Sequence, residues 1–283
     1  MRIAMLYVCT GKYDAFWRTF YETCEEFFYP DIAKEYFVFT DSKTIIENHI
    51  SNVHCYYQNK AGWPYDTLLR YNWICTIQDK LRMFDFCYFI NANSRFLRVI
   101  DESIIPLPSE ERKYIFWIHS HNYEDFTGTT FKPERNPKST ACIPEGQKCR
   151  AYGGGFWGGK SDSIIEMCCT LRDRISQDMR NGIIAVWHDQ SHLEKFGTEI
   201  KPYDIPNGII ASEENADLNI CYLIFLDKNK FGGNDYLREE SLKERIKHKP
   251  KKIYGRILKC TEKTGFNQYI HFIVSILKNL IAK

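Results

Sequence analysis

At 283 residues, with 44% hydrophobic and 15% aromatic content, the chain can bury a large core as one domain, which excludes disordered and repeat-built classes. Its eleven cysteines show neither Cys-x-x-Cys nor zinc-ligand spacing, so buried reduced thiols are expected rather than a disulfide framework or metal knot. The net charge of +2 is unevenly placed: residues 243–283 balance at +9, so the first 242 carry −7, and the basic tail stands apart as its own segment.

Met1 to Val8 is apolar but too short for a signal peptide, lacks a cleavage site, and reads as the first strand. Asp14 to Tyr29, ended by Pro30, has helical periodicity. Strands are expected at Tyr36 to Thr40 and Val53 to Gln58, then one helix over Thr67 to Phe84. Phe86 to Ile90 is an apolar run of the kind buried on both faces. Arg112 to His119 reads as a strand, followed by a polar connection over 120–150 that includes Tyr123, Phe131, Arg135 and Pro137, a length often used for binding. Ser161 to Arg180 reads as a helix with Ser161 as its N-cap, and Cys221 to Leu226 as a late strand. This alternation predicts an α/β fold with a mixed, mainly parallel sheet flanked by helices.

Asn91-Ala92-Asn93 stands at the carboxyl end of the Phe86 to Ile90 strand, where open α/β sheets bind ligands. Two carboxylates there would hold a hard cation; two carboxamides are poor sole ligands, so chemistry without a metal is expected. Four further blocks accompany it: Val8 to Tyr13, Phe37 to Asp41, Tyr152 to Gly159 and Ala185 to Leu193. In this order and at these separations the five blocks resemble glycosyltransferase family six, which includes the histo-blood-group A/B transferases and the α-1,3-galactosyltransferases, over about the first 240 residues. Asn-x-Asn in place of Asp-x-Asp is typical of bacterial members of that family.

The resemblance implies a GT-A fold and a role for each matching residue. Val8, Cys9 and Thr10 would offer polar groups to a uracil edge and Tyr13 an aromatic face, while Arg70 would contact the nucleotide and Asn91 and Asn93 flank the diphosphate. Without a metal, Lys228, Lys230 and Arg238 would carry the charge compensation. Gly153, Gly154 and Gly155 would leave room beside the donor sugar, with Gly155 of the N-acetylgalactosamine type; His188 and Asp189 would hold that sugar. Trp187 would stack on the acceptor, and His119, in a His-x-x-x-Tyr pattern with Tyr123, would bond a galactose hydroxyl, with His121 the rival in register.

Gln190 departs from the family's glutamate, and an amide is neither a useful nucleophile nor a full negative charge. Three outcomes stay open there: front-side transfer with Gln190 orienting groups, a weak or silent UDP-sugar-binding protein, or a change introduced at a native glutamate. The expected activity is retaining α-1,3 transfer of N-acetylgalactosamine from UDP-GalNAc to a galactose-terminated, fucosylated or unfucosylated glycan, with UDP-galactose the alternative donor and no cofactor. Residues 1–242 form the expected catalytic domain and 243–283 a basic tail ending in an amphipathic stretch, Phe266 to Ile281. That stretch suits either an anionic membrane surface or docking on protein, and it lacks the interleaved aromatics of a nucleic-acid binder. The free thiols, and the absence of the anchor and stem of vertebrate relatives, point to a cytoplasmic bacterial enzyme, with peripheral contact at the inner face of the membrane.

Overall fold

The structure is a computed structural model and describes residues 1–119 and 131–239. The chain divides into two compact units, Met1–Lys228 and Asn229–Lys283. In the first strand, β1 (Arg2–Cys9), residues 3 to 7 are wholly buried, as befits a central parallel strand covered on both faces. Ile3, Met5 and Tyr7 enter one apolar cluster and Ala4 and Leu6 the other, because successive strand side chains point to opposite faces.

A 3-10 turn (Gly11–Phe16) leads into α1 (Trp17–Phe27), whose Trp17, Phe20 and Cys24 form one buried stripe. The helix expected from Asp14 to Tyr29 therefore starts later and ends earlier, with Tyr29 at φ 43°. β2 (Ala33–Thr40), α2 (Lys43–Glu47) and β3 (Val53–Tyr57) follow.

The single helix expected over Thr67 to Phe84 is three short ones: α3 (Tyr65–Leu68), α4 (Arg70–Cys75) and α5 (Gln78–Leu81). Its threonines explain the breaks. Thr67 Oγ1 donates to Pro64 O at 2.9 Å and Thr76 Oγ1 to Trp73 O at 2.6 Å, while the amides of Thr76 and Ile77 bond three residues back instead of four.

Then come β4 (Phe86–Ile90), β5 (Ser94–Phe96), β6 (Tyr114–Ile118), β7 (Tyr152–Lys160) and α6 (Ser161–Arg180). Ser161 does not cap α6. Lys160 holds that position, and the Ser161 hydroxyl instead accepts a hydrogen bond from Cys87 Sγ at 3.2 Å, tying the helix to β4. The first unit ends with α7 (Asp189–Gly197), β8 (Tyr203–Asp204), β9 (Ile210–Ser212) and β10 (Leu223–Phe225); the second contains α8 (Gly233–Leu237). The described cysteines are free thiols. No helix of the described residues is long and apolar enough to cross a membrane, and the tail 243–283 lies outside those residues.

Seven strands form the main sheet in the order β3-β2-β1-β4-β7-β6-β8, parallel except where β7 pairs with β4 and β6. This is the mixed, mainly parallel sheet expected, with an apolar cluster against each face. A second sheet, β5-β10-β9, is separate. The pairing of β1 with β2 runs out to Cys9 opposite Thr40, whereas that of β1 with β4 stops at Leu6 opposite Phe89. The strands thus part at their carboxyl ends where the strand order reverses, which is the ligand-binding crevice of such sheets.

β7 fits between its neighbours because of its glycines. A Cβ on Gly159 would lie 2.2 Å from the Lys113 carbonyl oxygen, which is already held by Lys160 N–H at 3.0 Å. Gly159→Ala is expected to destabilise the protein by about 3 kcal/mol, the upper end for overpacking, measured by urea denaturation.

Candidate active site

Beyond Leu6 and Phe89 the residues that follow β1 and β4 frame the crevice, with one buried tie across it from Tyr7 Oη to Ala92 O at 3.2 Å. On the β1 side, Thr40 Oγ1 donates to Cys9 O at 2.8 Å, Gly11 N–H to Asp41 Oδ1 at 2.9 Å and Thr10 Oγ1 to Asp66 Oδ1 at 3.3 Å. Cys9 and Thr10 are buried; Val8 and Tyr13 are partly open. Lys228 Nζ lies 5.4 Å from the centre of the Tyr13 ring, a cation–π distance, so two residues 215 positions apart are brought together.

On the β4 side, Asn91 N–H donates to Gly155 O at 2.8 Å, and the Asn91 carbonyl accepts from Ser94 Oγ at 2.6 Å. Asn93 is buried and clasped to Leu226: its Nδ2 donates to Leu226 O at 2.8 Å and its carbonyl accepts Leu226 N–H at 2.7 Å. That exchange joins the small sheet to the end of β4.

Because β7 is antiparallel to β4, its amino end sits beside the carboxyl end of β4, and this puts the three glycines at the crevice. What each missing side chain makes room for differs. A Cβ on Gly153 would stand 2.1 Å from the Trp117 ring, so Trp117 takes up that space. On Gly154 it would stand 3.0 Å from Asp189 Oδ2, and on Gly155 3.0 Å from Phe225 and 3.1 Å from Asn91 Nδ2.

Arg70 begins α4 and turns inward. Its guanidinium lies over the Phe89 ring at 4.6 Å, with Nη1 donating to Gly154 O and Nε to Thr67 O, both at 3.1 Å. Nη2 stands 3.2 Å from Asp189 Oδ2, and both side chains are 8% exposed. The contact is an ion pair without hydrogen-bond angle, so this buried Asp189 oxygen has no hydrogen-bond donor upon it.

Asp189 opens α7, and His188 before it holds φ 55° and ψ −125°, a positive-φ conformation uncommon for a residue with a side chain, where the chain turns into the helix. The His188 ring packs edge-on to Trp63 at 4.6 Å. Trp187 is 47% exposed, yet its ring is anchored by Nε1 donating to Lys132 O at 2.8 Å; the amide of Val186 donates to the buried Glu134 carboxylate at 2.8 Å. Gln190 Nε2 donates to Glu194 Oε1 at 2.9 Å.

The backbone N–H of His119 donates to Ala151 O at 3.2 Å, and its ring packs on Trp117 at 4.5 Å. Trp117 in turn packs on Phe225 at 4.9 Å, which borders Gly155, so an aromatic chain links His119 to the glycine wall. His121 and Tyr123 lie outside the described residues. Lys230 and Arg238 belong to the second unit, Lys230 in a 3-10 turn and Arg238 closing α8 with its N–H on Asn234 O at 3.0 Å.

Sequence reasoning missed Glu194, Glu134, Trp117, Phe225 and Trp63. Glu194 had a signal, its spacing of four from Gln190 between Leu193 and Phe196; the others reach the site only through tertiary packing. Burial raises the Glu194 carboxyl from an ordinary 4.5 to about 8, with the Asp189 charge adding and the Gln190 bond opposing. Burial likewise lowers His192 from 6.5 to about 4, against the pull of Asp178.

A sheet that parts at its switch point, a glycine-lined strand end and an Arg–Asp pair at the start of a helix meet at one crevice, in a mixed α/β architecture consistent with a GT-A-type fold. The sequence model of glycosyltransferase family 6 matches residues 112–217. The O-antigen biosynthesis glycosyltransferase WbnI of Escherichia coli is 32% identical over 230 residues, 81% of this chain and 96% of that protein. The chain belongs to glycosyltransferase family 6. Histo-blood group ABO system transferase 1 of Rattus norvegicus is 26% identical over 68% of this chain and 55% of its own length. Globoside α-1,3-N-acetylgalactosaminyltransferase 1 of Homo sapiens is 25% identical over 71% of this chain and 58% of its own length, so the chain spans little more than half of each of these vertebrate relatives. As a member of this family the chain is a hexosyltransferase, with a nucleotide-sugar donor and a glycan acceptor.

Two measurements follow from this geometry. Asn93→Asp would set a carboxylate oxygen against the Leu226 carbonyl in place of a 2.8 Å bond, and is expected to cost about 2 kcal/mol of stability by thermal or urea unfolding. The two shifted groups of α7 set the pH profile. His192 contributes stability that is complete above 6.5 and lost as pH falls through about 4; Glu194 contributes stability that is complete below 4.5 and lost as pH rises through about 8. Urea titrations across pH should show stability falling from 6.5 to 8, and Glu194→Gln should flatten that limb.

Proposed function

We propose that the chain is a retaining α-1,3-glycosyltransferase that moves N-acetylgalactosamine from UDP-GalNAc to a galactose-terminated glycan, fucosylated or not, without a metal ion. The observation that carries this reading is the buried Asp189 Oδ2, held by Arg70 beside Gly154 but without a hydrogen-bond donor. A donor-sugar hydroxyl supplies what that oxygen lacks.

Thr10 and Tyr13 take the uridine end, with backbone from Val8 and Cys9. Lys228, beside Tyr13, offsets the diphosphate charge. The carboxamides at 91 and 93 support metal-free chemistry, as does the commitment of the Asn93 amide to Leu226. The name of the globoside relative supports GalNAc as the sugar and α-1,3 as the linkage; galactose is the alternative donor. Trp187 supplies a flat apolar face and His119 a ring nitrogen for the acceptor galactose. On one face of the donor sugar, the acceptor oxygen bonds to the anomeric carbon as the carbon–phosphate-oxygen bond breaks. The acceptor proton passes to the departing phosphate oxygen. The tail's charge of +9 supports contact with an anionic membrane surface on the cytoplasmic side.

A second reading, a UDP-sugar-binding protein of weak activity, is favoured by Gln190, whose amide cannot attack the anomeric carbon and is bonded to Glu194. Transfer to 2′-fucosyllactose and lactose in excess EDTA separates the two. Expected is product from UDP-GalNAc in EDTA, at least about tenfold faster than from UDP-galactose. Bound UDP with no product would establish the binding protein, and product only on adding a divalent ion would end the metal-free claim.

A further inference from the structure

Gln190 and Glu194 stand one turn apart on α7, where residues four apart share a face. Glu194 is fully buried, its Oε1 accepts the Gln190 N–H, and its Oε2 has no hydrogen-bond donor. The charge that acts on it is the like-charged Asp189, and no cation among the described residues is a cause of its shift. A buried acid in that state costs folding energy. Its one made bond is to the side chain that stands where a catalytic group is expected.

We propose that Glu194 is a positioning residue of the reaction centre: by accepting the Gln190 N–H, it turns the amide so that the Gln190 carbonyl oxygen faces the donor sugar. The inference rests on the transferase reading. Glu194 Oε1 accepts the Gln190 N–H whether the acid is ionised or carries its proton on Oε2, so it draws the NH2 corner of the amide toward itself and leaves the oxygen corner outward. Gln190 Cβ lies 3.8 Å from where a Gly154 Cβ would stand, so that side chain borders the glycine wall. The outward oxygen is the negative end of the amide dipole. It opposes the positive charge that grows on the anomeric carbon as the phosphate departs, whereas an outward NH2 would add to it. The pair gives a neutral side chain the electrostatic sign of an acid.

A second consequence concerns substitution at 190. Gln190→Glu alone would set two carboxyl groups in the place of a 2.9 Å hydrogen bond inside the protein, and like charges at that range resist joint ionisation. Above the Glu194 titration at about 8 a carboxylate at 190 is accommodated best when 194 gives up its own; below it, the protonated Glu194 can donate to that carboxylate.

The test uses the full chain with Glu194→Leu, Glu194→Gln, Gln190→Glu and the double change Gln190→Glu/Glu194→Gln, reading kcat, donor KM and unfolding temperature in mildly alkaline buffer. Glu194→Leu should lower kcat about tenfold or more, move donor KM less than about threefold, and leave the unfolding temperature level or higher. Glu194→Gln, which keeps a carbonyl acceptor, should recover most of that loss. A purely structural role would move kcat and stability together. Gln190→Glu should lower the unfolding temperature and the double change restore it, a non-additive cycle. Unchanged kcat in Glu194→Leu, or additive stabilities, would overturn the inference. Absence of turnover in the unaltered chain with UDP still bound would remove the transferase reading itself; a non-additive stability cycle would then leave the pair as packing only, overturning its positioning role.

Discussion

Three stretches far apart in the sequence meet at the Arg70 guanidinium. It lies on Phe89 of β4, bonds the Gly154 carbonyl of β7 and pairs with Asp189 at the start of α7, all away from water. A buried guanidinium needs a compensating charge, and a buried carboxylate needs one equally, so neither position is free to vary alone. A planar fork serves three directions at once in a way an ammonium cannot. The break between α3 and α4 matters for the same reason: with Arg70 at the start of a new helix its Nε bonds Thr67 O, one side chain closing the gap and holding the site.

β7 has two jobs along one strand. Its carboxyl half belongs to the core, where Trp157 is fully buried and stacks on Phe89 with ring centres 4.9 Å apart. Its amino half is the wall of the crevice. Glycine normally weakens a strand. Here the stacked tryptophan and the pairing on both edges hold the strand, and the missing side chains let Trp117, Asp189, Asn91 and Phe225 close on it.

Much of the sheet was legible because β1, β2 and β4 are apolar runs of strand length, and parallel strands buried on both faces read that way. The glycine block gives no such signal, so nothing in its periodicity marks β7 as a strand, although it is the one that makes the sheet mixed. The Thr67 to Phe84 stretch kept its apolar period while its hydroxyl side bonds broke the helix, a local competition that periodicity does not register. At the site, the blocks around Asn91, Gly154 and Asp189 were visible as motifs and do assemble. What the motifs could not disclose was partnership: Arg70 faces Asp189 across 119 positions of sequence, and Asn93 turns to Leu226 rather than outward. Glu194 was missed because a single acid in a helix is ordinarily a solvated one.

The Trp187 ring hangs from Lys132 and its neighbouring peptide from Glu134, and that segment packs around a small cluster of its own, Phe131, Ile143, Cys149 and Ala151, distinct from the two clusters flanking the sheet. The exposed tryptophan therefore has a separate foundation from the crevice at the carboxyl ends of β1 and β4. Substitutions in this annex can retilt the tryptophan while the sheet and its Arg–Asp clamp stay as they are, so the exposed ring and the buried pair can change independently of one another.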